Sequence, residues 1–409
     1  MTFDVRPIAE DEFDTWERTF SFVFGFDPKP DDSIWREVTE FDRTIGVFDG
    51  GDMVGTGGAF TMQMTVPGGA SVGAGGLTAI SVSPTHRRRG ILTSMIQNHF
   101  EDVAARSEPV SILWASESVI YGRYGYGAAI QGADLTIARD HGALRADVTE
   151  PLGSMRVTTD TGSVRPLVEK VYEKAVIDAG IPGSLARNEG FWNMYFHDPE
   201  HWRDGATSLR VAVYERDGEP QGYAKFRQKE LWEEGHPNNT TTVIDLQGAD
   251  GEAYAAMWRF MLGMDLVATT KIRNRRSHDP VLDLLADPRR VKHTRYETIW
   301  VRILDVPAAL EARRYDRAGS VVIEVTDDFG PWAGGTYRLD GGPEGAACVP
   351  TDDRADVKLG IADLSSAYLG DSRLSTLGWL GRVDGDAEAI ATLDAMFGWH
   401  LQPWCTVGF

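Results

Sequence analysis

Cysteine is nearly absent: Cys348 and Cys405 are the only two in 409 residues. Two cysteines in a chain this long make no disulfide framework and offer no metal-ligand spacing, so no metal is expected and a reducing, cytoplasmic compartment is the default. No window approaches the roughly 20 apolar residues of a membrane span. The N-terminal MTFDVRPIAEDEF lacks the basic-then-apolar order of a secretory signal, and no membrane partner is expected. Positive charge is in deficit: 41 Lys and Arg against 61 Asp and Glu give a net charge of −20. That disfavours nucleic acid as a partner. It would draw cationic substrates if the acidic groups line a cleft, and would only aid solubility if they are spread over the surface. Neither G-x-x-x-x-G-K-[ST] nor G-x-G-x-x-G is present, which removes the P-loop and the dinucleotide fingerprint. No Ser–His–Asp or Cys–His arrangement stands out as a nucleophilic centre.

What is present is concentrated between residues 77 and 126. The apolar run 77–82 reads as a buried strand. It is followed by Pro84-Thr85-His86, three arginines and Gly90, and then by Ile91, Leu92, Met95, Ile96 and Phe100 at helical spacing. A strand, a cationic loop, a glycine and a helix start together form an anion site. The first helical N–H groups are free and sit at the positive dipole end, Gly90 permits close backbone approach, and Arg87, Arg88 and Arg89 add charge. A pyrophosphate fits such a cradle. His86 reads as packing beside the arginines rather than as a base.

The chain also echoes itself. Residues 43–60 and 209–226 both read as two strands around a tight turn, Gly50-Gly51 in one and Asp217-Gly218 in the other. Each pair is followed by a strand and a helix: 77–82 then 90–100, and 242–246 then 252–262. The second loop has no arginine and puts Asp250 and Glu252 where the first would hold phosphates, so like charge would repel an anion there. Two related α/β units follow, only the first able to hold a pyrophosphate. Beyond residue 296 the pattern changes: strands are expected at 297–303, 320–325 and 355–360. Helices are expected at 306–312, 361–369 and 386–397.

The string SVSPTHRRRG, with ASESVIYGRYGYG behind it, resembles the enhanced intracellular survival family of GNAT N-acetyltransferases from actinobacteria. The resemblance implies an α/β (α+β) architecture in three parts. These are a GNAT catalytic domain over 1–145, a degenerate GNAT domain over 146–295, and a sterol-carrier-like domain over 296–409. It implies acetyl-CoA as co-substrate. Backbone groups of Ile80, Ser81 and Val82 would hold its pantetheine and acetyl ends. Arg88, Arg89, Gly90, Ile91, Leu92 and Thr93 would hold its pyrophosphate, with Ser116 and Glu117 in the same groove. By residue type Tyr121, Tyr124 and Tyr126 can each protonate a leaving thiolate, since a phenol stays protonated at neutral pH; the resemblance singles out Tyr121. The apolar ending PWCTVGF suggests a packed terminus, and the resemblance makes the Phe409 carboxylate the proton acceptor. In FGFDPKPDDSIW, aromatics beside carboxylates suit a cationic amine and equally suit a solvated acidic loop over buried rings. The resemblance favours Phe26, Asp27 and Trp35 as the substrate pocket.

The expected activity is therefore transfer of acetyl to primary amines of polycationic small molecules, aminoglycosides among them, by direct attack in a ternary complex. The alternatives are a protein lysine or N-terminal acetyltransferase, and a non-catalytic acyl-CoA or lipid carrier. A homohexamer is implied by the resemblance.

Overall fold

A computed structural model describes residues 3–29 and 34–409; Asp31 and Asp32 of the acidic segment lie outside the described residues. The molecule divides into two compact units that interleave along the chain, whereas the expected boundaries at 145 and 295 follow it. One unit combines the residues up to Ile130 with Pro182–Met194 and Thr298–Phe409; the other takes Gln131–Ile181 and Tyr195–Glu297.

The first unit contains a seven-stranded sheet. Strands β1 (Asp4–Pro7), β2 (Thr44–Asp49), β3 (Asp52–Thr65) and β4 (Ser71–Val82) run antiparallel in succession, and β5 (Val110–Trp114) joins β4 in parallel. The Gly50-Gly51 turn joins β2 to β3 as the sequence suggests. Helix α1 (Phe13–Phe24) turns Phe13, Trp16 and Phe20 inward, and a short α2 (Ile34–Val38) follows. Helix α3 (Ile91–Ala105) crosses from β4 to β5 and buries Ile91, Met95, Ile96, His99, Phe100 and Val103, a helical stripe. The strand Ile299–Ile303, expected to open the C-terminal region, instead pairs antiparallel with β5 inside this sheet.

After it, helix Val306–Ala312 leads into a five-stranded sheet ordered Gly345–Pro350, Gly335–Gly342, Gly319–Thr326, Val357–Gly360, Val383–Gly385, flanked by helices Ile361–Ala367, Leu374–Trp379 and Ala387–Phe397. Asp305 and Asp386 cap two of these helices with their carboxylates. One apolar core joins both sheets, holding Phe60, Met62, Val110 and Ile112 together with Leu310, Val321, Leu339 and Phe397. Cys348 and Cys405 are buried as thiols, and burial pushes each up to about 12.

The second unit repeats the first pattern. Hairpin Arg210–Arg216 and Glu219–Lys229 turns at Asp217-Gly218, strand Asn239–Gly248 follows, helix Gly251–Leu262 crosses over, and Val267–Arg276 pairs in parallel with Asn239–Gly248. Its loop binds a cation where the first copy's is cationic. The Asp250 carboxylate caps the helix at Ala253 N, 2.8 Å, and Asp250 and Glu252 both hold Arg216. Among the described residues no helix is long and apolar enough to cross a membrane, and no three His, Cys, Asp or Glu side chains gather as a metal site.

Candidate active site

The site begins where β4 and β5 part. Their parallel pairing runs from Ala74 with Val110 to Leu77 with Leu113, after which β4 continues to Val82 paired only with β3. At the parting β4 carries a bulge: Thr56 of β3 faces Ser81 and Gly58 faces Thr78, so Ala79 and Ile80 share the single residue Gly57. Ala79 takes a left-handed φ of 51°. The Thr56 hydroxyl stabilises this kink, donating to Ala79 O at 2.8 Å and meeting Ser81 Oγ at 2.7 Å, all buried. The bulge turns this end of β4 into the wall of a slot.

That slot is a cavity of about 690 Å³. Ile80, Ser81 and Val82 form one wall, and Arg87, Arg88, Gly90, Ile91, Leu92 and Thr93 one end. Ser116, Glu117, Tyr121 and Tyr124 lie opposite. Arg88 and Gly90 both have positive φ, 62° and 85°, and α3 starts at Ile91 with no side-chain cap. Its first N–H groups therefore stand at the arginines without an internal carboxylate or hydroxyl partner from the capping position, the arrangement an incoming phosphate needs. Arg89 is exposed and outside this lining, while Arg87 is part of it. His86 also belongs to this lining, but both its ring nitrogens are engaged: Nε2 meets the Asp49 carboxylate at 3.2 Å and Nδ1 meets Thr85 Oγ1 at 2.8 Å.

A second cavity, about 220 Å³, adjoins the first. Phe24, Ile80, Ser116 and Tyr121 belong to both linings, and Phe20, Trp35, Trp114 and Phe409 enclose the inner one. Tyr121 and Phe409, far apart in sequence, thus reach the same space. Burial, then the neighbouring Tyr124 and Glu117, raises the Tyr121 hydroxyl to about 12. The tail is held from several sides. Trp114 Nε1 donates to Val407 O at 3.0 Å, Trp404 N to Pro182 O at 2.8 Å, and Arg187 to Thr406 Oγ1 at 3.3 Å. The Phe409 ring packs edge-on to Phe60, and Gly76 leaves room for it: a Cβ there would sit 3.2 Å from Phe409 Cε2.

Phe26 and Asp27 are exposed and outside both linings; Phe26 reaches the site only through an edge contact with Phe20. Phe20 and Trp114 were not singled out in the sequence. Their signals are an i, i+4 aromatic ladder Trp16–Phe20–Phe24 in α1 and a tryptophan closing the apolar run of β5. The remaining chemistry is a buried polar chain: His99 Nε2 to Ser111 Oγ at 2.7 Å, and Ser111 Oγ to Tyr126 OH at 2.7 Å and to Gly75 O at 3.1 Å.

Residues 4–129 and 183–303 match families described as acetyltransferase (GNAT) domain, and 306–406 match the sterol carrier protein domain. The chain is 41% identical to an uncharacterized N-acetyltransferase of Streptomyces avermitilis over the full length of both. It is 32% identical to N-acetyltransferase Eis of Mycobacterium tuberculosis over 89% of each chain. The crystal structure of Eis1 from Mycobacterium abscessus superposes with a TM-score of 0.86 at 31% identity, covering 99% of this chain and all of that one. Matched by GNAT and sterol carrier domains in turn, and by these relatives over nearly its whole length, the chain belongs to the Eis family of GNAT N-acetyltransferases.

Proposed function

We propose that the protein uses acetyl-CoA to acetylate primary amines of polycationic small molecules, aminoglycosides among them, by direct transfer within a ternary complex. One observation carries this reading: Tyr121, Ile80 and Ser116 stand between two adjoining cavities, one ending at the cationic helix start and the other closed by aromatic rings and Phe409. Acetyl-CoA supplies a thioester whose carbonyl carbon accepts the amine. Gly90 to Thr93 with Arg87 and Arg88 bind its phosphates. The backbone of Ile80 to Val82, exposed by the bulge, aligns the pantetheine and offers N–H groups to the carbonyl oxygen as charge grows there. Trp35, Phe20 and Phe24 orient the amine through their ring faces. The Phe409 α-carboxylate takes the proton the amine must lose, and Tyr121 gives one to the departing sulfur. The amine nitrogen thus gains an acyl bond and the C–S bond breaks, with one proton accepted and one supplied. A homohexamer and a cytoplasmic location complete the reading, the first to be checked by solution mass.

The test is thiol release from acetyl-CoA with kanamycin, comparing the native protein with one carrying a few residues after Phe409. Turnover by the native form that collapses in the extended form, with acetyl-CoA binding intact, is the expected result. Equal rates in both would remove Phe409 from the mechanism. No turnover on a panel of polyamines would move the acceptor to protein amines.

A further inference from the structure

The turn that carries Tyr121 is gripped from the C-terminal region. Arg302, on the strand Ile299–Ile303 of the first sheet, has a side chain that is 0% exposed, as has its partner Asp327. Its guanidinium spends its donors in three directions: Nε to Tyr124 O at 2.9 Å, Nη1 to Ile303 O at 2.7 Å, and Nη2 to Asp327 Oδ2 at 2.5 Å. Asp327 is in turn fixed by the backbone N–H groups of Phe329, 3.3 Å, and Ala333, 3.1 Å. The Phe329 ring stands edge-on to Tyr124 at 4.8 Å and to Phe100 at 5.7 Å. Gly125, at φ 84°, leaves room for this grip, since a Cβ there would lie 2.7 Å from Arg302 Nε and 2.8 Å from Ile361 Cγ2. Within the turn, Tyr126 N bonds Tyr121 O at 3.4 Å and Gly125 N bonds Gly122 O at 3.1 Å. The hydroxyl of Tyr124 meets Thr93 Oγ1, at the phosphate-binding helix start, at 3.4 Å.

A buried ion pair adds little net stability, because desolvation consumes most of its Coulomb attraction; what it does supply is direction. Here that direction is aimed at the carbonyl of Tyr124, three residues after Tyr121. We propose that Arg302, Asp327 and Phe329 are positioning residues for the proton donor. Through Asp327 and Phe329, and by way of Arg302 in the first sheet, the sterol-carrier-like domain sets where the Tyr121 hydroxyl stands relative to the departing sulfur. This rests on Tyr121 acting as the acid.

The experiment compares Asp327→Asn, Phe329→Leu, Tyr121→Phe and the two double variants. Each is assayed for kcat and for KM toward acetyl-CoA, with melting temperature and circular dichroism as folding controls. Asp327→Asn keeps the shape but removes the charge, and leaves one amide oxygen where Phe329 N and Ala333 N now meet two different carboxylate oxygens. It is expected to lower kcat about tenfold or more, since small misplacements of a catalytic group cost that much. KM for acetyl-CoA is expected to stay within about twofold. In the Tyr121→Phe background the same change should cost less than about twofold, because there is no hydroxyl left to misplace. A merely structural role would subtract equally from both backgrounds, and that additivity overturns the proposal, as does an unchanged kcat in Asp327→Asn. Should Asp327→Asn not fold, Phe329→Leu decides in the same way, since it strands no buried charge. If Tyr121→Phe alone leaves kcat intact, the acid reading has failed, a result distinct from additive losses.

Discussion

Tyr121 is a buried phenol, and burial holds its proton on up to about pH 12. If it is the acid, Tyr121→Phe should lower kcat by about 10² to 10⁴, the usual worth of a positioned proton donor, with little change in KM for acetyl-CoA. The kcat–pH profile should show no alkaline decline from this group below about pH 12. A falling limb near pH 10 that disappears in Tyr121→Phe would contradict the buried setting. His99 runs the other way. Burial, with Arg43 adding to it, pushes it down to about 3, so it stays neutral in the native core beside Ser111 of β5. Its ordinary value in the unfolded chain is near 6.5. The stability it contributes is complete above pH 6.5 and drains away as pH falls from 6.5 toward 3, a loss of order a few kcal/mol. Urea titrations across that window should be flatter for His99→Gln, even if that variant is less stable at pH 7. An equally steep acid dependence in the variant would place the effect on other groups.

The junction of β4 with α3 was legible as an element and opaque in its detail. Local periodicity marks a strand and a helix, and the glycine and arginines mark what lies between. The bulge at Ala79 left no trace, because it depends on register with β3, a strand whose pairing is not local. Thr56→Val tests that detail. It removes the hydroxyl from a buried carbonyl and from Ser81, so a cost of about 1 to 3 kcal/mol is expected, together with a higher Kd for CoA by calorimetry. Normal CoA affinity in a destabilised Thr56→Val would separate the bulge from binding. Gly90→Val meets no neighbour, since nothing lies within 4 Å of a Cβ there. Its φ of 85° still makes the change cost about 1 to 2 kcal/mol by backbone strain alone. In the C-terminal region the helices 306–312 and 386–397 were expected from the sequence, the second from its amphipathic spacing. The strands Gly335–Gly342 and Gly345–Pro350 were not, since glycine and polar residues mask their alternation.

At the scale of the whole molecule, what sequence could not convey was assembly from separated segments. Ile299–Ile303 reads as a plain apolar strand, and nothing in its residues says that it is inserted into a sheet begun near residue 4. Arg302 and Asp327 likewise look like surface charges until the strand is placed. The core shared by the first sheet and the C-terminal sheet predicts that neither stands alone. A chain cut before Val306 should not recover a folded GNAT region, and the two regions should melt in one transition in calorimetry. Two resolved transitions within this unit would argue against a common core. The buried thiols of Cys348 and Cys405 carry a practical corollary. A thiol reagent added to the folded protein has nothing in it to react with, so every colour change during turnover counts released CoA. The same reagent without substrate becomes a purity gauge, since each unfolded chain uncovers two sulfhydryls.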